Sequence, residues 1–283
     1  MRHGLKKLER FVKSLTIDKY RLVTCHMRPL PDFLIIGSQK SGTTSLYHYL
    51  SQHPQIRRSL KKEIHYFDGG GNREIDNFLK GTDWYRSHFP IRKKSKTSTI
   101  TYEASPLYIF NPSAPKRIAE LIPDVKLIAL LRNPTERAIS HYYHEKKNGR
   151  EQLPIMEAFL AEEDRMRESF EKGDYKNYKF IQCSYKNRGL YDSQIKRYLE
   201  YFPRESLLVI SSEKLFSEPE NTLIKIAEFL GISPRFTIEN LHPRNVASNK
   251  DKVGEEVHDY LNEYFRSHNQ ALYDLIGEDF GWQ

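Results

Sequence analysis

A chain of 283 residues, 38% hydrophobic and 12% aromatic, holds enough apolar material for a core and suits one α/β domain with insertions. A net charge of +8, a sequence pI near 9.2 and a mean hydropathy of -0.70 describe a polar, basic surface that attracts anions: nucleotides, acidic glycans, nucleic acid or a membrane surface. No Lys/Arg block is long enough for a nucleic-acid tail and no motif supports a nucleic-acid partner; two cysteines, Cys25 and Cys183, give no metal-ligand spacing and are expected as free thiols.

The first twenty residues lack the apolar core of a signal peptide. Leu5, Leu8, Phe11, Val12 and Leu15 fit a short basic amphipathic helix, so residues 1–31 read as an N-terminal basic helical extension and 32–283 as the functional domain. Such a helix packs on its own domain or makes peripheral contact with a membrane. No apolar stretch approaches the ~20 residues of a membrane span, so no transmembrane segment is expected and the expected compartment is the cytoplasm.

Four short runs read as strands: 33–37, 97–103, 125–131 and 206–211. Those at 33, 125 and 206 are apolar without alternation, the pattern of parallel strands covered on both faces. Helices separate them. Residues 43–52 place Leu46, Tyr49 and Leu50 on one face before Pro54, and 113–121 opens with Ser113 as N-cap and Pro115 in the first turn. Residues 188–201 carry Leu190, Ile195, Tyr198 and Leu199. Residues 219–230 carry Leu223, Ile226, Ala227 and Leu230 and stop at Gly231, and 254–275 forms the last long helix. The alternation predicts an α/β fold: one P-loop-like domain with a central parallel sheet, right-handed crossovers and flanking helices. Residues 148–186 break the pattern. They are crowded with Glu, Asp, Lys and Tyr, hold one helical pattern near 153–170, and read as an insertion near an acceptor cleft.

The stretch FLIIGSQKSGTTSLYHYL, 33–50, is a strand, a glycine-containing turn and a helix. In that context backbone N–H groups and the helix dipole meet an anion. Gly37 and Gly42 keep the G-x-x-x-x-G spacing, but Thr43 and Thr44 stand where a nucleotide triphosphatase carries Lys and Ser or Thr, and the only lysine, Lys40, is inside the turn. The strand at 125–131 ends in Arg132 rather than the acidic residue that helps hold magnesium. A positive charge there argues for a second anion. A turn that merely packs strand on helix does not account for Lys40, Thr43, Thr44 and Ser45 in one place.

IIGSQKSGTTSLYHYLSQHP resembles the 5′-phosphosulfate loop of sulfotransferases that use 3′-phosphoadenosine 5′-phosphosulfate (PAPS), and in particular the heparan sulfate N- and 3-O-sulfotransferase branch with its bacterial relatives. LRNPTERAISHYYH (131–144) resembles that family's 3′-phosphate segment and KEIHYFD (62–68) its segment with the acidic catalytic residue; the likeness runs through EKLFSEPENTLIKIAEFLGI (213–232) and covers most of 32–276.

The resemblance implies PAPS as sulfuryl donor, no metal requirement, and a hydroxyl or amine of a carbohydrate or glycolipid as acceptor. It implies that Lys40 stabilises the leaving 5′-phosphate, that Lys40, Ser41, Gly42, Thr43, Thr44 and Ser45 cradle the 5′-phosphosulfate, and that Arg132 and Ser140 hold the 3′-phosphate. Glu63 is then the general base, with His65 assisting and Asp68 orienting it. Glu103 is the rival base, followed by Ala104 where the relatives commonly carry Lys. Arg188, Gly189 and Tyr191, with Asn249 and Lys250 in 245–252, are implied near the 3′-phosphate and adenine. Arg137 is expected as a solvated helix charge. The competing functions are a P-loop nucleotide kinase and a non-catalytic anion- or glycan-binding module.

Overall fold

The computed structural model describes residues 16–92, 98–236, 238–243 and 253–282. Residues 1–15 of the expected N-terminal helix, and Asn249 and Lys250, lie outside the described residues.

Five parallel strands form the sheet: β1 (Phe33–Gly37), β2 (Ile56–Arg58), β3 (Ile100–Ala104), β4 (Lys126–Leu131) and β5 (Leu207–Ser211), in the order β2-β3-β1-β4-β5. β1 is central, with β3 on one side and β4 on the other. Chain connections depart in opposite directions from this point, and the crevice beyond the strand C-termini is where open α/β sheets bind ligands.

The strands are covered on both faces, as their unbroken apolar character predicts. Leu34 and Ile36 of β1 pack with Leu127, Ala129 and Leu131 of β4. That layer lies against α3 (Ala114–Leu121), α8 (Tyr191–Leu199) and α11 (Glu255–Ile276) through Ile118, Ile195, Tyr198 and Leu272. Phe33 and Ile35 face the other way with Tyr102, Ile128 and Leu130, against Leu46 of α1 (Thr43–Leu50) and Leu223, Ile226 and Leu230 of α10 (Pro219–Leu230). This odd–even division is the period-two geometry of a strand.

β2 is absent from the sequence reading because three residues, Ile-Arg-Arg, carry no periodic signal. The third strand starts at Ile100 rather than 97: Ile100 N–H donates to Gln55 O at 2.9 Å, where the β2 ladder begins. Ser113 does precede α3, but its side chain makes no capping bond. The helical pattern at 153–170 is two helices, α5 (Ile155–Leu160) and α6 (Glu162–Lys172), followed by α7 (Tyr178–Gln182). α8 begins at Tyr191, after a 3-10 turn over Asn187–Gly189. Two short helices carried no recognised signal: α2 (Gly81–Arg86) and α9 (Ser212–Ser217). Both cysteines are buried free thiols.

Arg137 is not a solvated helix charge. It lies in α4 (Pro134–Lys147) and is fully buried. α4 is covered on a second side by α11 and the 153–185 segment, with Ala138, Ile139 and Tyr142 packing on Phe159, Tyr185, Leu261 and Phe265. The Arg137 guanidinium donates to Tyr185 O inside that contact.

Candidate active site

β1 runs into a turn over residues 38–42. Ser38 N–H donates to Leu130 O at 2.7 Å, tying the turn to β4. Lys40 and Gly42 have φ of 72° and 89°. At Gly42 a side chain would be strained twice over, since an added Cβ would sit 2.7 Å from the Phe216 ring. Gly42 is also the N-cap of α1, so no side chain caps the first-turn amides. These amides and the positive helix end are a set of donors that an anion could occupy. Ser41, Thr43 and Ser45 are buried there and Thr44 is half-buried.

Neighbouring elements brace the turn. The Ser38 and Ser41 hydroxyls are 2.5 Å apart. Tyr191 O–H, at the start of α8, lies 3.3 Å from Ser38 Oγ and donates to Arg132 O at 3.0 Å. Ser212 O–H donates to Ser41 O at 2.8 Å. Arg188, buried before α8, donates to Gln39 in the turn and to Ser184 Oγ at 2.8 Å.

Arg132 follows β4, and its Nη1 lies 3.5 Å from Lys40 O while Nη2 bonds Glu136 Oε2 at 3.1 Å. The two cations predicted to grip opposite ends of the donor therefore flank one turn. Ser140 is half-buried two turns further along α4. Burial and the guanidiniums of Arg132 and Arg137 push the Lys40 ammonium below the usual lysine range. Burial and Arg137 bring Arg188 down to about 9. Like charges gathered here repel one another, and an anion between them would relieve that repulsion.

The acidic side is built beside the C-terminal end of β3. Glu63 N–H donates to Ala104 O at 3.0 Å and His65 N–H to Ser105 Oγ at 3.2 Å. Glu63 and His65 both have positive φ, 58° and 55°. Glu63 pairs with Lys62 Nζ, and its other oxygen is 3.7 Å from His65 Nε2. His65 Nδ1 bonds Asp68 Oδ2 at 2.6 Å; the Asp68 side chain is buried and also accepts from Gly70 N–H at 3.0 Å. The His65 bond, against the opposing effect of burial and with help from Lys62, holds Glu63 at about 2. Burial opposes charge on His65, but Asp68 and Glu63 outweigh it and raise His65 to about 10. The result is a carboxylate–imidazolium–carboxylate row.

Glu103 is fully buried and faces no opening. It accepts from Tyr85 O–H at 2.7 Å, Tyr108 O–H at 2.8 Å and Ser105 O–H at 2.9 Å. The 148–186 segment is linked to the chain after Asp68 by Arg73–Asp174 at 2.6 Å and Lys176 Nζ–Ile75 O at 2.6 Å. Among the described residues no group of three or more His, Cys, Asp or Glu is placed to hold a metal ion. The bonds that tie Ser38 to Tyr191, Gln39 to Arg188 and Ser41 to Ser212 were not anticipated; a long-range partner leaves no mark on local spacing.

A parallel α/β sheet with clustered cations and an uncapped helix N-terminus at its switch point, and a Glu63–His65–Asp68 row beside the neighbouring strand, is the architecture of a group-transfer enzyme. Residues 30–269 match the sulfotransferase domain family, and the chain belongs to it. It is 29% identical to the membrane-associated sulfotransferase kil1 of Dictyostelium discoideum, over 90% of this chain and 67% of that protein. It is 30% identical to human heparan sulfate glucosamine 3-O-sulfotransferase 6, over 90% of this chain and 74% of that one. It is also 30% identical to mouse bifunctional heparan sulfate N-deacetylase/N-sulfotransferase 4, over 87% of this chain but only 30% of the much longer relative. The crystal structure of a sulfotransferase from Alicyclobacillus acidocaldarius superposes with a TM-score of 0.72 at 32% identity, covering 89% of this chain and 98% of that one. Among the described residues no helix is long and apolar enough to cross a membrane.

Proposed function

We propose that this sulfotransferase moves a sulfuryl group from PAPS to a hydroxyl or amine of a carbohydrate or glycolipid. The observation that carries the reading is the meeting of Arg132 with the Lys40 carbonyl at the edge of an uncapped helix N-terminus. Two anion-binding centres so close suit a donor charged at both ends. The carbohydrate acceptor is supported by the heparan sulfate glucosamine named for the relative.

In this reading the first-turn amides of α1, with Ser41, Thr43, Thr44 and Ser45, hold the 5′-phosphosulfate. Arg132 and Ser140 hold the 3′-phosphate, and the resemblance adds Tyr191, Asn249 and Lys250 as donor-binding residues. PAPS supplies the transferable sulfuryl group. Lys40 donates toward the oxygen on which negative charge grows as that group departs, the kind of aimed electrostatic contact that lowers a transfer barrier most. Glu63 receives the acceptor's proton. Its tie to His65 and Lys62 makes it a weak base at rest, and an acceptor hydroxyl that displaces either partner returns its basicity. His65, held by Asp68, keeps Glu63 aimed. The 148–186 segment, joined to the chain beyond Asp68, borders the acceptor.

The test is calorimetric titration with 3′-phosphoadenosine 5′-phosphate (PAP), AMP and magnesium–ATP, followed by labelled-sulfate transfer across glycans, glycolipids and small alcohols. Binding that depends on the 3′-phosphate, with transfer to a sugar, supports the reading. Magnesium–ATP turnover without PAP binding overturns it in favour of a kinase. PAP binding without transfer to any acceptor reduces it to an anion-binding module.

A further inference from the structure

We propose that Glu103 is the positioning residue of the acceptor side: through the hydroxyls of Ser105 and Tyr108 it fixes the 63–68 loop in the shape that presents Glu63 and His65. The inference rests on the reading that these two side chains serve the acceptor.

Glu103 pairs in register with Leu34 at the centre of the sheet. A carboxylate buried there is out of keeping with its apolar surroundings, and among the described residues no cation forms a salt bridge with it. Three hydroxyls answer it instead, from Tyr85 in α2, Ser105 and Tyr108. Burial raises its pKa and those three bonds oppose the rise.

A carboxylate that takes three O–H hydrogens decides how those hydroxyls point. With their hydrogens turned inward, the oxygens can only accept from the other side. Ser105 Oγ accepts His65 N–H at 3.2 Å, and Tyr108 Oη accepts Tyr66 N–H at 2.9 Å and Phe67 N–H at 3.5 Å. Three consecutive loop amides thus end on Glu103 through two hydroxyl relays. The same loop holds Glu63 and His65 at positive φ, a conformation that non-glycine residues keep only where their surroundings enforce it. Its outer wall is fastened separately, by Asn77 Nδ2 donating to His65 O at 2.9 Å. The charged groups facing His65 are Glu63, Asp68, Glu103 and, through Glu63, Lys62. An apolar residue at 103 would leave the Ser105 and Tyr108 hydrogens free to turn and compete with the loop amides.

The test compares Ser105→Ala, Glu103→Gln and Glu103→Ala with Ile226→Val, a core substitution in α10 whose cluster includes none of residues 63–68, offered as leaving activity unchanged. PAP affinity, kcat and acceptor KM, melting temperature and the NMR titration of the His65 imidazole are measured for each. PAP affinity is expected within about twofold throughout, because the donor turn is braced by other residues. Glu103→Gln keeps a carbonyl oxygen for the two tyrosines and offers its NH2 to Ser105 Oγ, so its kcat stays within about threefold of the parent. Ser105→Ala and Glu103→Ala lose kcat by on the order of 10²-fold, the scale of a small misplacement of reacting groups. In both, the His65 midpoint moves down from about 10 toward its ordinary value as its partners lose alignment; Glu103→Ala also removes a carboxylate that acts on His65 directly, so Ser105→Ala isolates the positioning effect. An unchanged His65 titration in both variants overturns the inference, as does a kcat loss that merely follows melting temperature. If Glu103→Ala does not fold, Ser105→Ala decides. If the parent transfers no sulfate from PAPS, the functional reading fails while the His65 titration still decides the positioning claim.

Discussion

Replacing Lys40 by Ala isolates one charge at the donor turn. Residue 40 sits at φ 72°. Lys and Ala both carry a Cβ, so the left-handed strain is the same in both proteins and cancels from the comparison. The ammonium is half-buried and destabilised by desolvation and by Arg132 and Arg137. Its removal relieves repulsion, so the melting temperature of the variant should hold or rise. The loss falls on the transition state: withdrawing one preorganised donor from developing charge costs about 2.7–4 kcal/mol, or roughly 10²–10³ in kcat. Lys40→Arg should not rescue it, because a planar fork does not replace a compact ammonium in a tight turn. Single-turnover transfer of labelled sulfate measures the chemical step, and PAP calorimetry measures retained binding. Transfer within threefold of the parent in a folded Lys40→Ala protein would refute the reasoning.

Arg132→Ala should weaken PAP binding by about 1.5–3 kcal/mol, the value of a hydrogen bond to a charged group, and erase most of the preference for PAP over AMP; competitive calorimetry reads both. Gly42→Ala should lower stability by about 1–3 kcal/mol through its left-handed φ, and also weaken PAP binding; adding Phe216→Ala, which removes the ring 2.7 Å from the new Cβ, should relieve only part of the loss in thermal melts. The pH dependence follows from the acidic row. Glu63, depressed to about 2, contributes stability that is present above the ordinary glutamate pKa and lost as pH falls through about 2. His65, raised to about 10, contributes stability that is present below the ordinary histidine pKa and lost as pH rises through about 10. The profile of kcat/KM should therefore be flat through neutrality and decline on its alkaline side as His65 near 10, Arg188 near 9 and the depressed Lys40 lose their protons, and His65→Asn should remove only the His65 part of that decline; a bell centred on ordinary histidine titration would contradict the geometry.

The turn between β1 and α1 was legible because its parts are contiguous: a strand, two glycines with four residues between them, a lysine and five Ser or Thr residues within 33–50. β1, β4 and β5 were legible because burial on both faces leaves an unbroken apolar run. Arg137 was misread because a helix wheel shows spacing along one element, while the second cover on α4 comes from Tyr185 and Leu261, far along the chain. The hold of Arg188 on Gln39 spans 149 residues and has no local signature. Glu103 was ambiguous for the same reason: a carboxylate at a strand end reads alike as a base or an anchor until Tyr85, Ser105 and Tyr108 are seen closing around it.

One phenol joins the tips of the first and fourth strands: the Tyr191 hydroxyl touches Ser38 on one and the Arg132 carbonyl on the other. Neither tip can drift without the other. Any molecule clasped at both is gauged against a span set during folding, and a homologue one bond too long or too short meets a rigid caliper rather than an adjustable jaw.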